Sequence, residues 1–272
     1  MSDDDCPQYA PQCCGSCSDG SISARDAATY RQRPSTFHHA AQPVVIDPQL
    51  ADPQHWDPYW KKSREVERRT YAVIASVYRK LLIRPRLHRV LRRSFANGSQ
   101  LLHAGCGGGQ VDQGLHERMR ITALDISAGA LELYQANNPA VSRIKHGDIL
   151  ALPFADASFD GYYSLGVIEH FTEQEIARIL AEALRVLRPH GKVILFWPHA
   201  RATSVRVLGL AHKVLARSGS KDTLHPAEIS LLTSRTMAER ILTAAGFQMI
   251  SYDFGIVDLW IQAVIVAERA VA

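Results

Sequence analysis

Leu101-Leu102-His103-Ala104-Gly105-Cys106-Gly107-Gly108-Gly109 passes from apolar residues into a glycine-rich run. Four residues of strand character run straight into glycines, and glycines at a strand end let the backbone turn tightly and approach a ligand closely. The sequence after it predicts a short helix near Val111 to Glu117. Its N-terminus would favour a carboxylate or phosphate. Such a loop alone is weak evidence, so the flanking pattern has to carry the argument.

Working outward, Ile121-Thr122-Ala123-Leu124 reads as a second strand ending at Asp125, with Ser127 placed to cap a helix through Tyr134. Val141 to His146 reads as a third strand before Gly147-Asp148, and Phe159 to Leu165 as a fourth. Thr172 and Glu175 have capping-box spacing. Ile176, Ile179, Leu180, Ala183, Leu184 and Leu187 then form one apolar helical stripe, ended by Pro189 and Gly191. Lys192 to Trp197 is a fifth strand, Ser234 to Ala245 a helix stopped by Gly246, and Phe247 to Phe254 and Trp260 to Ala267 two final strands. This alternation predicts an α/β fold: a three-layer, Rossmann-like, seven-stranded sheet, mostly parallel, with an antiparallel addition at one edge.

The rest of the chain sets bounds. It has 272 residues, 46% hydrophobic and 21% charged, ordinary for a globular enzyme, and a net charge of +4, too small to imply nucleic-acid binding. No run approaches the roughly 20 apolar residues of a membrane helix. Met1-Ser2-Asp3-Asp4-Asp5 does not open a secretory signal, so the cytoplasm is the default compartment. Residues 1 to 55 read as a disordered or loosely docked arm. Cys6, Cys13, Cys14 and Cys17 lie in it, but no second CxxC or His pair at finger spacing and no local apolar core supports a zinc site. Residues 56 to 98 form a helical segment, broken at Pro85. From Lys61 to Arg93 it carries twelve Lys or Arg against Glu65 and Glu67. A solvated face is the plain reading, and attraction of an anionic substrate or a membrane surface the sharper one. The third domain is 99 to 272.

Asp125 ends its strand 20 residues after Gly105, where an acid can accept from both ribose hydroxyls of a nucleoside. Helix capping beside Ser127 is the structural alternative. Asp148 after the third strand can accept from an adenine amine while Ile149 packs on the ring; a turn aspartate is the alternative there. Both positions and the glycines fall at the carboxyl ends of parallel strands, where such sheets bind ligands.

With these residues in place, the stretch from about Gln100 to Ala267 resembles a class I S-adenosylmethionine-dependent methyltransferase. The matching pieces are His103 to Gly109, Ala123-Leu124-Asp125-Ile126-Ser127, His146-Gly147-Asp148-Ile149, Leu152 to Asp160, Gly166-Val167-Ile168-Glu169-His170 and Leu187 to Lys192. The resemblance implies S-adenosylmethionine as cofactor. It gives the methionine part to His103, Gly105, Cys106, Gly107 and Gly109, the ribose to Asp125, and the adenine to Asp148 and Ile149, with Ile126 and Leu165 also at the cofactor. The family has an acid two residues before the first glycine, facing the cofactor's ammonium. This chain has His103 there, with Asp112 in the following helix as a substitute charge.

Methyl transfer to a hydroxyl needs alignment and a proton acceptor. His170 leads as the base, with scaffolding of its loop as the alternative; His199 and His225 stand behind it. Tyr162 and Tyr163 alternate across a strand, so at most one faces the ligand. Residues 200 to 232 occupy the family's substrate-recognition insertion. There Val207, Leu210, Ala211, Val214 and Leu215 make an apolar stripe, and His225-Pro226-Ala227-Glu228 follow it. The acceptor expected is a small molecule, anionic or amphipathic, a lipid or glycan precursor included, with peripheral membrane contact in view and O-methylation ahead of N- or C-methylation. No metal and no nucleic-acid partner is expected. Two other readings remain open: a nucleotide-dependent oxidoreductase, although its third glycine would come one residue later, and a catalytically degenerate fold used for binding, which His103 encourages.

Overall fold

Strands form where apolar residues alternate along the chain, and the inner ones are covered on both faces. In the computed structural model, which describes residues 76–141, 143–202, 228–256 and 260–270, they are β1 (Gln100–Ala104), β2 (Arg120–Asp125), β3 (Arg143–His146), β4 (Phe159–Leu165), β5 (Leu187–Pro198), β6 (Phe247–Asp253) and β7 (Gln262–Arg269). They make one sheet of order β3-β2-β1-β4-β5-β7-β6. All pairs through β5 are parallel, while β7 runs antiparallel to both β5 and β6. The expected seven-stranded, mostly parallel sheet is present. The closing pair, β7 and β6, forms the antiparallel addition at one edge, and the final strand is the antiparallel one. β7 inserts between β5 and β6, is buried over its middle, and leaves β6 outermost.

The chain leaves the sheet centre from β1 outward to β3 and returns on the other side of β1 as β4. The order therefore reverses between β1 and β4. A crevice opens at such a reversal because the connections diverge to opposite faces.

Among the described residues four α-helices cover the sheet: α1 (Arg84–Ser94), α2 (Ala128–Asn137), α3 (Glu173–Val186) and α4 (Arg235–Ala244). One core sets Ile176, Ile179, Leu180 and Ala183 of α3 and Leu242 of α4 on Leu102, Tyr162, Leu195 and Trp197. The other sets Leu87 and Leu91 of α1 on Leu101, Tyr163, Ile194 and Phe196. Leu101 and Leu102, like Tyr162 and Tyr163, thus go to opposite faces, as the period of two requires. Each fully buried Leu contributes about 2 kcal/mol. The capping box of α3 has both halves, Glu175 N–H donating to the Thr172 hydroxyl and the Glu175 carboxylate accepting from Thr172 N–H.

Some local expectations change. Pro85 does not break the helical segment. It sits in the first turn of α1, which continues from a π-helical turn, Arg79–Ile83. Arg84 N–H donates to Arg79 O there, a wider turn that accommodates the missing proline donor. Leu187 to Gly191 do not end α3 as a loop. They open β5, whose register shifts between the Phe159–Leu187 and Gly161–Lys192 pairs. β3 starts at Arg143, after Val141. The N-terminal arm, its cysteines, residues 56–75, the apolar stripe from Val207 to Leu215 and His225 lie outside the described residues.

No helix among the described residues is long and apolar enough to cross a membrane. Of the basic run, Arg86 is buried and paired with Asp253 at 2.9 Å, whereas Arg89, Arg92 and Arg93 are exposed.

Gly161 on β4 shows how tightly the α1 face is packed. A Cβ there would lie 2.3 Å from Phe95 Cζ and 2.8 Å from Leu101 Cδ2. Gly161→Ala is expected to destabilise the fold by about 1–3 kcal/mol through this overpacking. A urea midpoint lowered at constant slope checks it; an unchanged midpoint would show that Phe95 swings away freely.

Candidate cofactor site

The loop after β1 is built on positive backbone angles, Gly105 at φ +69°, Gly107 at +51° and Gly109 at +65°. Each is a conformation that a side chain makes costly. Gly105 N–H and Cys106 N–H both donate to Leu124 O, at 2.9 and 3.0 Å, which ties the loop to the end of β2. On its other side a Cβ at Gly105 would lie 2.6 Å from Val167 Cγ2, so the loops after β1 and β4 meet at the sheet reversal. Asn137 and Asn138, at the end of α2, donate to Gly108 O and Gly109 O at 2.7 and 2.9 Å. Those two asparagines had no periodic signal to mark them; only the fold brings them under the loop.

The helix expected over Val111 to Glu117 is one 3₁₀ turn, Leu115–Glu117, entered through Gly114 at φ +86°. The loop therefore does not run directly into an α-helix, and its own backbone N–H groups are the donors at this strand end. Gly114 breaks the helix because Asp112, Leu115 and Val111 are all turned inward to be buried.

Asp125 ends β2 with 7% exposure. Its Oδ2 accepts from Gly107 N–H at 2.8 Å and its Oδ1 from Ser127 N–H at 2.9 Å. Burial raises its carboxyl above the usual range, opposed by those N–H donors and by His103. Each oxygen keeps lone-pair capacity for a further donor. Helix capping falls to Ser127, whose hydroxyl accepts from Ala130 N–H. Asp148, two residues beyond β3 and half-buried, accepts from Leu150 N–H at 2.8 Å in an Asx turn, beside buried Ile149. Ile126 and Leu165 are half-buried at the ends of β2 and β4. The fold thus gathers the glycines, Asp125, Ile126, Asp148, Ile149 and Leu165 at the carboxyl ends of four adjacent strands. Cys106 lies among them, 5% exposed, its thiol pushed up by burial and then by Asp125 and Asp112.

His103 is 2% exposed, and its Nδ1 lies 2.7 Å from Asp112 Oδ2. Tyr134 of α2 donates its hydroxyl to the same oxygen at 2.7 Å. Tyr163 of β4 stacks on the imidazole, ring centres 4.3 Å apart. Burial, and then the Asp112 charge, raise both phenols far above their usual range.

His170 lies in a 3₁₀ turn, Ile168–His170, after β4 and is 1% exposed. Its Nε2 is 4.0 Å from Glu169 Oε1. Glu169 is itself buried, and burial, with Glu228 adding, pushes its carboxyl up to about 8. Its carbonyl accepts from Ile229 N–H and Ser230 N–H, and Trp197 Nε1–H donates to Ser230 O at 2.7 Å, so the segment after residue 227 docks here. His199 is turned to structure: its Nδ1 accepts from Arg201 N–H, its ring stacks on Phe254, and burial first, then Arg201, lowers its pKa.

Comparisons with known proteins agree with this fold. A family model described as a methyltransferase domain matches residues 102–195. A Mycolicibacterium smegmatis protein named "Probable S-adenosylmethionine-dependent methyltransferase" is 30% identical over 168 residues, 60% of this chain and 59% of that protein. The malonyl-[acyl-carrier protein] O-methyltransferase of Serratia marcescens is 41% identical over 113 residues, 41% of this chain and 42% of that one. The chain thus spans less than two thirds of the length of these relatives. The crystal structure of magnesium protoporphyrin IX methyltransferase from Synechocystis PCC 6803 with bound SAH has the same fold, with a TM-score of 0.58 at 14% identity over 80% of this chain and 98% of that one. The strand order, the reversal beside the glycine loop and the family match agree: residues 102–195 are similar to a methyltransferase domain, and the sheet around them has the fold of a solved methyltransferase.

Proposed function

We propose that this chain transfers the methyl group of S-adenosylmethionine to an oxygen of a small-molecule acceptor. The observation that carries the reading is the Asp125 carboxylate, buried at the end of β2, which accepts from Gly107 N–H of the loop and from Ser127 N–H and keeps lone-pair capacity on each oxygen for a ribose hydroxyl. In this reading Gly105, Cys106, Gly107 and Gly109 hold the methionine part, and Asp148 with Ile149, Ile126 and Leu165 holds the adenosine. When bound, the sulfonium supplies an already activated methyl group. What remains for the protein is to align the acceptor and to take its proton. His170, behind the loop after β4, is the group assigned that proton.

Oxygen is favoured as acceptor atom because relatives named as O-methyltransferases recur, the 27-O-demethylrifamycin SV methyltransferase of Amycolatopsis mediterranei among them. The exposed Arg89, Arg92 and Arg93 support an anionic or amphipathic acceptor. The antiparallel β7 within the sheet speaks against the dinucleotide oxidoreductase reading.

The test uses S-adenosylmethionine carrying a labelled methyl group and metabolite extract from cells lacking the gene. Label is expected in a small-molecule fraction as a base-stable ether or an ester; label in none would remove the reading. In the same assay His170→Ala is expected to lower turnover about a hundredfold while cofactor affinity stays within about twofold. Equal loss of turnover and affinity would show that His170 only holds its loop.

A further inference from the structure

The His103–Asp112 pair is expensive to build. Asp112 is fully buried, and a buried carboxylate costs several kcal/mol unless its oxygens are held. Oδ2 has two donors, His103 Nδ1 and the Tyr134 hydroxyl, yet Oδ1 is buried with no hydrogen-bond partner among the described residues. Because a carboxylate only accepts, Nδ1 of His103 carries the proton. Among the described residues no hydrogen bond reaches the ring's other nitrogen, Nε2. The ring cannot turn to find one: it is clamped by stacking on Tyr163 and by Tyr134 edge-on at 6.5 Å. The ionisable groups around it are Asp112 and Cys106 of the loop, Asp125 of β2, Tyr134 of α2 and Tyr163 of β4. All this stands two residues before Gly105, beside the sheet reversal.

We propose that His103 and Asp112 act as one acceptor for the cofactor's ammonium group, with Nδ1–H committed to Asp112 and Nε2 taking the hydrogen bond that an acid takes elsewhere in the family. The proposal rests on the S-adenosylmethionine reading above. With Nε2 accepting, the ring and the carboxylate together would carry one negative charge, the same as the acid they replace. The charge sits one ring further from the ligand, and Tyr134 holds it in place. Asp112 is therefore a positioning residue that acts through His103.

Calorimetry on the full chain tests this with two probes, S-adenosylhomocysteine, which has the ammonium group, and methylthioadenosine, which lacks the whole amino-acid part. Wild type is expected to bind both. His103→Ala and Asp112→Asn each weaken S-adenosylhomocysteine about tenfold or more, the value of a hydrogen bond to a charged group, and leave methylthioadenosine within about twofold. That second probe also reports that the variants are folded. His103→Asp restores S-adenosylhomocysteine to within about threefold of wild type, and adding Asp112→Asn to it then costs less than about threefold. Variants that weaken both probes equally would make the pair mere cement for the loop and overturn the proposal. So would a His103→Lys that binds better than His103→Asp, since the ring would then be a donor to the cofactor's carboxylate. If wild type binds methylthioadenosine but not S-adenosylhomocysteine, the ammonium assignment fails while an adenosine site remains. If it binds neither, the S-adenosylmethionine reading fails and takes this one with it.

Discussion

Asp125→Ala is expected to weaken S-adenosylmethionine about a thousandfold, to below detection by calorimetry. Two effects combine. The ribose loses two hydrogen bonds to a charged group, at about 1.5–3 kcal/mol each. The loop loses its tie as well, because Gly107 N–H and Ser127 N–H both donate to this carboxylate. Asp125→Asn separates the contributions. The amide keeps an acceptor for one backbone donor but sets an NH₂ against the other, so affinity is expected to fall less than in the alanine variant. Thermal unfolding of both proteins gives the loop's share. NAD offered in place of S-adenosylmethionine is expected to give no heat. NAD binding to wild type with none for S-adenosylmethionine would reverse the cofactor assignment.

The second large effect concerns Glu169, and it is one of pH. Its carboxyl is pushed up to about 8, first by burial and then by Glu228, against an ordinary value of 4.5. Between those values the folded chain holds a proton that the unfolded chain has released. Stability from this group is thus fully present below about pH 4.5 and is lost as pH rises through about 8. The difference amounts to roughly 4–5 kcal/mol at the alkaline end. Glu169→Gln, which keeps the shape and cannot ionise, is expected to match wild type below pH 4.5 and to exceed it by roughly that amount above pH 9. Urea unfolding across pH measures it. A constant offset between the two proteins would mean that Glu169 does not titrate in this range. The effect bears on the site because Glu169 O anchors Ile229 and Ser230 beside the turn that carries His170. Ionising the side chain would place its charge against Glu228 at that joint.

Much of this architecture was legible in the residues themselves, and particular elements show why. The helix after Thr172 carries its start signal within four residues and its buried face in a simple period, so α3 forms where the pattern places it. Asp125 and Asp148 were legible because a strand end and a neighbouring turn are local facts. Pro85 misled because a proline's damage depends on the turn around it, and a π-helical turn absorbs it. Val111 to Glu117 misled because the run is short, and burial of Asp112 outweighed helix propensity.

Residue pattern alone was enough for the alternation of strands and helices and for the chemistry at each strand end, since both rest on contacts between residues close in the chain. The seven-stranded α/β fold follows from that. Tertiary structure alone decided where β7 goes, because hydrogen bonding to β5 rather than beyond β6 is a choice between partners distant in the chain. It also decided the surroundings of His103. The sequence shows a histidine where an acid belongs, with Asp112 nine residues on and Tyr134 on another helix. Only folding puts the three within hydrogen-bonding distance, because a buried carboxylate must find its donors wherever the packing brings them.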